Sequence, residues 1–139
     1  MIEIKQIGIK DIEQLQAIGR QTFAETFADS NSSENMAKYL EEAYAHEKLS
    51  SELMNPNSEF YLASLDDEVI GYLKLNFGNA QTELKDNEAA EIERIYVAKA
   101  FHGKKIGQSL YNKAIEIAKA KNVHYVWLGV WEKNHKAIQ

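Results

Sequence analysis

The chain has 139 residues, 45% apolar and 27% charged, with no cysteine and a formal net charge of −5. That is one domain's length with enough apolar content for a single core; a disulfide scaffold, a thiolate zinc site and a cysteine nucleophile are all excluded. No apolar run approaches the roughly 18 residues of a membrane span. The opening Met1-Ile-Glu-Ile-Lys5 lacks a signal-peptide layout, so a cytoplasmic protein with no membrane partner is expected.

The charge is uneven. Residues 1–90 carry 7 Lys+Arg against 17 Asp+Glu, and residues 91–139 carry 9 against 4. An acidic front and a basic back suit a cationic ligand on one side and a polyanionic one on the other, although solvated helix faces alone would give the same asymmetry. A nucleic-acid partner is disfavoured, because the total is acidic and no Lys/Arg cluster is interleaved with aromatics.

Apolar residues alternate with charges over 2–7, which predicts a strand. Asp11 reads as an N-cap, followed by a helical stripe through Ile12, Leu15, Ile18, Gly19, Thr22, Phe23 and Phe27. After the break at Asp29, Asn31 or Ser32 is expected to cap a second helix, with Glu34 completing the box. Met36, Tyr39, Leu40 and Ala43 form its face, and the helix is expected to continue through Leu49, Leu53 and Met54 until Pro56. Residues 59–77 read as a hairpin turning at Asp66-Asp67-Glu68, with Gly71 marking a bulge. A polar loop over 78–90 leads to a strand over 91–97 and a short loop over 98–103. A helix then runs to about Lys121 on the stripe Ile106, Leu110, Ala114, Ile117 and Ala118. Residues 124–130 read as a buried strand, and Asn134 as the cap of a last helix. The order is mixed α/β, with one strand–helix–strand crossover at 91–130.

The strand–loop–helix over 91–110 has the form of an anion cradle. Gly103 and Gly107 permit close backbone approach, the first-turn amides of the helix point outward, and Lys104 and Lys105 add positive charge. Two glycines four apart are weak evidence alone, since many such turns bind nothing. The segment is neither a P-loop nor a dinucleotide fingerprint.

Glu91-Ile-Glu-Arg-Ile-Tyr-Val97, His102-Gly-Lys-Lys-Ile-Gly107, Leu110-Tyr-Asn-Lys-Ala-Ile-Glu-Ile-Ala118 and Trp127-Leu-Gly-Val-Trp-Glu-Lys-Asn134-His-Lys-Ala-Ile138 resemble the GNAT superfamily of N-acetyltransferases. The likeness is strongest to the bacterial Pai-type spermine/spermidine N-acetyltransferases. Glu25-Thr-Phe27, Asn35-Met-Ala-Lys-Tyr-Leu40 and Gly71-Tyr-Leu-Lys-Leu75 extend it through the front half. The resemblance implies a GNAT-like acyl-CoA N-acyltransferase fold with an α+β-like mixed sheet, as one domain over residues 1–139. It implies acetyl-CoA as co-substrate, no metal, and a small-molecule amine, a polyamine above all, as acceptor. The family's Arg/Gln-x-x-Gly-x-Gly/Ala loop holds the CoA pyrophosphate through backbone amides, and here it falls on 102–107. His102 stands where Arg or Gln is usual. Lys105 stands where the first glycine is usual, so its backbone is expected to be open to a residue with a Cβ.

By the same resemblance, CoA is expected at Ile95, Tyr96, Val97, His102, Gly103, Lys104, Lys105, Ile106, Gly107, Gln108, Ser109, Asn134 and Ala137. The pantetheine arm would pair along 95–97 like an added strand, with a strand N–H near Tyr96 or Val97 meeting charge on the thioester oxygen. The free amine attacks the thioester directly in a ternary complex, and a base must first take the proton of its ammonium. Glu91 and Glu93, two apart on one strand and so on one face, match acidic positions that the family places near the amine. Either is expected to have a raised pKa if partly buried; pairing with the neighbourhood of Arg94 or with a helix lysine at a sheet end is the structural alternative. Glu25, Asp29, Glu34, Glu41 and Glu42 could line the amine's path, or be solvated. Phe23, Phe27, Tyr39 and Tyr44 read as core or as an apolar cleft wall. His46, His124 and His135 carry no ligand spacing.

Family members continue past Asn-x-x-Ala-Ile with a tyrosine that commonly protonates the leaving thiolate, and then a strand pair. The chain is therefore expected to be C-terminally incomplete, lacking that pair. The strand at 124–130 would then have an open edge, which a homodimer could cover. Two alternatives accompany a polyamine acetyltransferase: a truncated, catalytically impaired CoA-binding protein, and an acetyltransferase of protein amino groups.

Overall fold

A computed structural model describes residues 2–27, 33–82 and 88–128. Five strands form one sheet in the order β1-β2-β3-β4-β5, with β1 at Ile2–Ile7, β2 at Ser58–Leu65, β3 at Glu68–Phe77, β4 at Ala89–Val97 and β5 at Tyr125–Leu128. The first four are antiparallel neighbours, and β5 runs parallel to β4. The helices are α1 (Ile12–Phe27), α2 (Ser33–Ala43), α3 (His46–Met54) and α4 (Ile106–Ala120). The crossover expected at 91–130 is present, carried by α4 between β4 and β5.

The sheet is covered on both faces, which explains why β2 and β3 are apolar on both sides. One face carries Phe60, Leu62, Tyr72 and Tyr96 against Ile12, Leu15 and Ile18 of α1 and Leu49 of α3. The other carries Ala63, Leu73, Leu75, Ile92, Ile95 and Val97 against Ile106, Leu110 and Ala114 of α4. The predicted stripes of α1 and α4 are buried except at Phe23 and Ile117, which are half-buried.

Several local expectations change. Asp11 ends a 3-10 turn, and its side chain accepts from the Gly8 amide at 3.3 Å, so it acts one turn before α1. The second helix breaks at Tyr44–Ala45, where Ala45 is extended and starts α3. Tyr44 causes the break by turning into the core. Its ring lies where a Cβ on Gly19 would come within 2.5 Å of it, and its hydroxyl meets that of Tyr72 at 3.1 Å. The Gln16 amide caps the Tyr44 carbonyl at 2.7 Å. The bulge that Gly71 is expected to mark is present beside it: the register passes over Ile70 between the pairs Ala63–Gly71 and Ser64–Val69. A Cβ on Gly71 would meet the Tyr96 carbonyl at 2.6 Å, so glycine lets β3 and β4 close up there. Strand β4 starts at Ala89, α4 starts at Ile106, and a 3-10 turn occupies Lys99–Phe101 in the expected loop. Described β5 is half exposed instead of buried, with Tyr125 and Leu128 facing solvent. Asp29, Asn31, Ser32, residues 129–130, Trp131, Asn134, His135 and Ala137 lie outside the described residues. No described helix is long and apolar enough to cross a membrane.

Candidate active site

Strand β4 pairs with β3 through Ile92–Leu75 and Arg94–Lys74, which leaves Glu93 as an extra residue between them. Such a bulge resets the alternation of the strand. Glu91, Glu93, Arg94 and Tyr96 therefore all face α1 and α3, while Ile92, Ile95 and Val97 face α4. The expected common face of Glu91 and Glu93 is present, and the bulge adds Arg94 to it.

The two carboxylates converge on one amide. Asn76 Nδ2 donates to Glu91 Oε1 at 3.0 Å and to Glu93 Oε1 at 2.7 Å, while its Oδ1 accepts from the Ser58 hydroxyl at 2.9 Å. Their surroundings then diverge. Glu91 is fully buried (0% exposed) and also accepts from the Thr82 amide at 2.8 Å and the Thr82 hydroxyl at 2.6 Å. Glu93 keeps 20% of its side chain exposed and pairs with Lys74 at 2.8 Å and Arg94 at 3.3 Å. Both cations also reach Glu52 on α3, Lys74 at 3.3 Å and Arg94 at 3.0 Å. Burial pushes the Glu93 carboxyl up, but Arg94, Lys74 and the Asn76 bond outweigh it and hold it below the ordinary carboxylate value. The raised pKa expected of a partly buried carboxylate is thus reversed for Glu93, because two cations share its pocket.

Lys74, Asn76, Glu52 and Thr82 were not singled out by the sequence. Lys74 and Asn76 did leave a signal: they alternate with Leu73 and Leu75 in a stretch, 69–77, that is otherwise apolar, and a charge and an amide at core positions need partners. Glu52 left none, since it lies on a helix rich in polar residues.

Beyond the bulge, residues 95–97 lie past the described pairing of β4 with β5, which covers Ala89 to Ile92. The loop that follows is pinned at several points. Ala98 N donates to Ile70 O at 2.7 Å, the His102 ring bonds Val97 O at 2.8 Å, and Phe101 touches both cores. Lys99 N donates to Glu25 on α1 at 2.8 Å, so Glu25 supports this loop. Gly103 is left-handed at φ +85° and Lys105 at φ +63°. Lys105 caps α4, whose first internal bond is Ser109 N to Lys105 O. The amides of Ile106, Gly107 and Gln108 precede that bond, and no acid occupies the first turn. A positive dipole end beside exposed Lys104 and Lys105 is chemically suited to a pyrophosphate. The expectation that Lys105 adopts a conformation comfortable for a Cβ is corrected: it occupies the region that favours glycine, where the family pattern has one.

Phe23 and Phe27 of α1 and Met36 and Tyr39 of α2 line a pocket of about 350 Å³, with Asn35, Lys38 and Glu42 completing it. Phe23 stacks on Tyr39 at 4.5 Å. Phe27 and Tyr44 are buried; Tyr39 is half exposed, so this aromatic group is both core and wall. Glu34 and Glu41 are exposed on α2. His46 is exposed, and His124 pairs with Glu88 at 3.4 Å. Among the described residues no group of three or more His, Asp or Glu could hold a metal ion.

The acetyltransferase (GNAT) family model matches residues 19–139. The chain belongs to the GNAT family. It is 43% identical over 98% of its length to an uncharacterized N-acetyltransferase of Lactobacillus delbrueckii subsp. lactis, covering 79% of that protein. It is 31% identical over 96% of its length to the spermidine N(1)-acetyltransferase of Thermoplasma acidophilum, covering 80% of that protein. The crystal structure of the PaiA N-acetyltransferase of Thermoplasma acidophilum in complex with coenzyme A superposes with a TM-score of 0.75 at 30% identity, covering 88% of this chain and 75% of that one. The mixed sheet with its helices is therefore a GNAT fold, and this GNAT protein is an acetyl-CoA-dependent N-acetyltransferase. The free amide row of α4 and the left-handed turn before it fit a coenzyme A pyrophosphate, and the co-substrate supplies the acetyl group.

Proposed function

We propose that the acceptor is a polyamine such as spermidine or spermine, and that Glu93 receives its reacting ammonium. The observation that carries this reading is a partly exposed, ionised carboxylate on a bulge of β4, immediately before the stretch 95–97. The 31% identity to a spermidine N(1)-acetyltransferase supports the acceptor class. Coenzyme A would lie with its pantetheine arm along Ile95, Tyr96 and Val97, and its pyrophosphate on the amides of 105–108. Lys104 and Lys105 would face the phosphates, and His102, Gly103 and Ser109 would shape the turn. A carboxyl held below its usual pKa is a weak direct base. Glu93 is better suited to fixing the ammonium and orienting a water that carries the proton away. Glu91, saturated by three bonds, acts as an anchor: it holds the Thr82 segment and, through Asn76, the position of Glu93.

Coenzyme A release with spermidine, spermine, and peptides bearing free N-termini or lysines tests the acceptor. A kcat/KM for a polyamine at least about tenfold above any peptide is expected, a difference of about 1.4 kcal/mol. Preference for a peptide, or release with none of them, overturns it.

The loop placement has its own test at Lys105. Lys105→Glu should weaken coenzyme A binding about tenfold by reversing charge at the phosphates, measured by calorimetry. Lys105→Gly should raise unfolding stability by about 1 kcal/mol by removing the left-handed penalty, measured in urea. Equal coenzyme affinities for the wild type and the Glu variant would remove Lys105 from the phosphate site.

A further inference from the structure

Five charged groups meet on the face of the sheet beneath α3. Glu93 and Glu91 come from β4 with Arg94, Lys74 comes from β3, and Glu52 comes from α3. Asn76 bridges the two β4 carboxylates, and the phenols of Tyr72 and Tyr44, bonded to each other, border the cluster. The cations are shared: Lys74 lies 2.8 Å from Glu93 and 3.3 Å from Glu52, and Arg94 lies 3.3 Å from Glu93 and 3.0 Å from Glu52. Lys74 is nearly enclosed, at 8% side-chain exposure, and lies over the Phe60 ring at 5.5 Å from its centre. Both cations are therefore permanent neighbours of Glu93, and an incoming ammonium must share it with them.

From that geometry, and resting on the reading of Glu93 as the ammonium's partner, we propose that Glu52 is a positioning residue for the amine. It draws Lys74 and Arg94 toward α3, so that Glu93 keeps free acceptor capacity for the substrate. Glu52 acts through Lys74 and Arg94, the two cations it holds at 3.3 and 3.0 Å. Its action is to stop two internal cations from substituting for the external one. Without it, Glu93 would be the one carboxylate among the described residues paired with Lys74 and Arg94, and the protein would compete with its own substrate for it.

The test uses the whole chain and three variants: Glu52→Gln, Lys74→Met and the double variant. In Glu52→Gln the spermidine KM should rise about three- to tenfold, with kcat carrying the smaller part of the change and the acetyl-CoA KM unmoved. Adding Lys74→Met removes one internal competitor, and the amine KM should return toward the wild-type value. A purely structural Glu52 would give the opposite: a lower melting temperature, an unchanged amine KM, and further loss in the double variant. That pattern overturns the proposal.

Carbon-13 titration of the Glu93 side-chain carboxyl gives a readout independent of the reaction. Its midpoint should fall by about half a unit to one unit in Glu52→Gln and rise by about one unit in Lys74→Met. If Glu93→Gln leaves amine kinetics intact, the functional reading of Glu93 fails and the kinetic part of the proposal with it. The titration then still decides whether Glu52 controls Glu93. Identical midpoints in the wild type and Glu52→Gln refute that control even where Glu93 proves essential.

Discussion

Glu93→Gln should lower kcat/KM for spermidine by about 10²-fold or more, within the range for removing a group that handles a proton in the transition state, while the acetyl-CoA KM stays near its original value. The substitution keeps size and removes charge. Asn76 Nδ2 at 2.7 Å and Lys74 Nζ at 2.8 Å both reach Oε1, so the glutamine carbonyl can take that place and accept from both, while its amide replaces Oε2 and sets a donor against the Arg94 guanidinium 3.3 Å away. Glu52 remains to hold both cations, which limits the loss of stability. The pH dependence separates this role from that of a direct base. Glu93 sits below the ordinary value of 4.5 and is ionised throughout the range in which amines lose their protons. Rates should rise with pH in the wild type and the variant alike, following the amine. A wild-type limb near neutrality that disappears in Glu93→Gln would mean a carboxyl that titrates there, against the effect of its two cations. An unchanged kcat/KM would take Glu93 out of the reaction. Glu91→Gln should behave differently: with all three of its bonds inside the protein, its first effect should be on unfolding.

How much of this was legible in the sequence depended on whether the cause was local. The stripes of α1 and α4 and the alternation of β2 and β3 are periodic patterns, and the structure has them within a few residues. The shared face of Glu91 and Glu93 followed from a spacing of two. Their environment did not follow, because a bulge is a relation between two strands: nothing in Ile92-Glu-Arg94 states that Lys74 and Leu75 will pair on either side of Glu93. Glu52 is 41 positions before Glu93 and is linked to it through Lys74 and Arg94, from a helix that starts after the break at Tyr44. That break depends on the fit of a ring against Gly19. The left-handed Lys105 shows the opposite case. The family pattern, with glycine there, was the better guide to the backbone than the residue itself.

Asn76→Asp should cost about 3–5 kcal/mol near neutral pH, the scale of an uncompensated buried charge, and the loss should shrink as the pH falls. Asn76 is fully buried and supplies the one amide nitrogen shared by Glu91 and Glu93. Replacing it by a carboxylate removes both donations and puts a third negative group between two others. The two flanking carboxylates favour its protonated form, so its folded pKa lies above the unfolded value of about 3.9. A pKa raised by folding contributes stability below the unfolded value that is lost as the pH rises through the folded one. In the wild type the cluster acts with the opposite sign. Glu93 has a folded pKa below 4.5, so its stabilisation is present above that value and is lost as the pH falls through the lower folded one. Urea unfolding at pH 5 and pH 7.5 should therefore show the variant more stable at the lower pH, while the wild type loses nothing through Glu93 over that interval. Asn76→Leu isolates the missing donor from the added charge: it should destabilise without gaining stability at pH 5. If Asn76→Asp is no more stable at pH 5 than at pH 7.5, then the two carboxylates do not share that amide as closely as 3.0 and 2.7 Å imply.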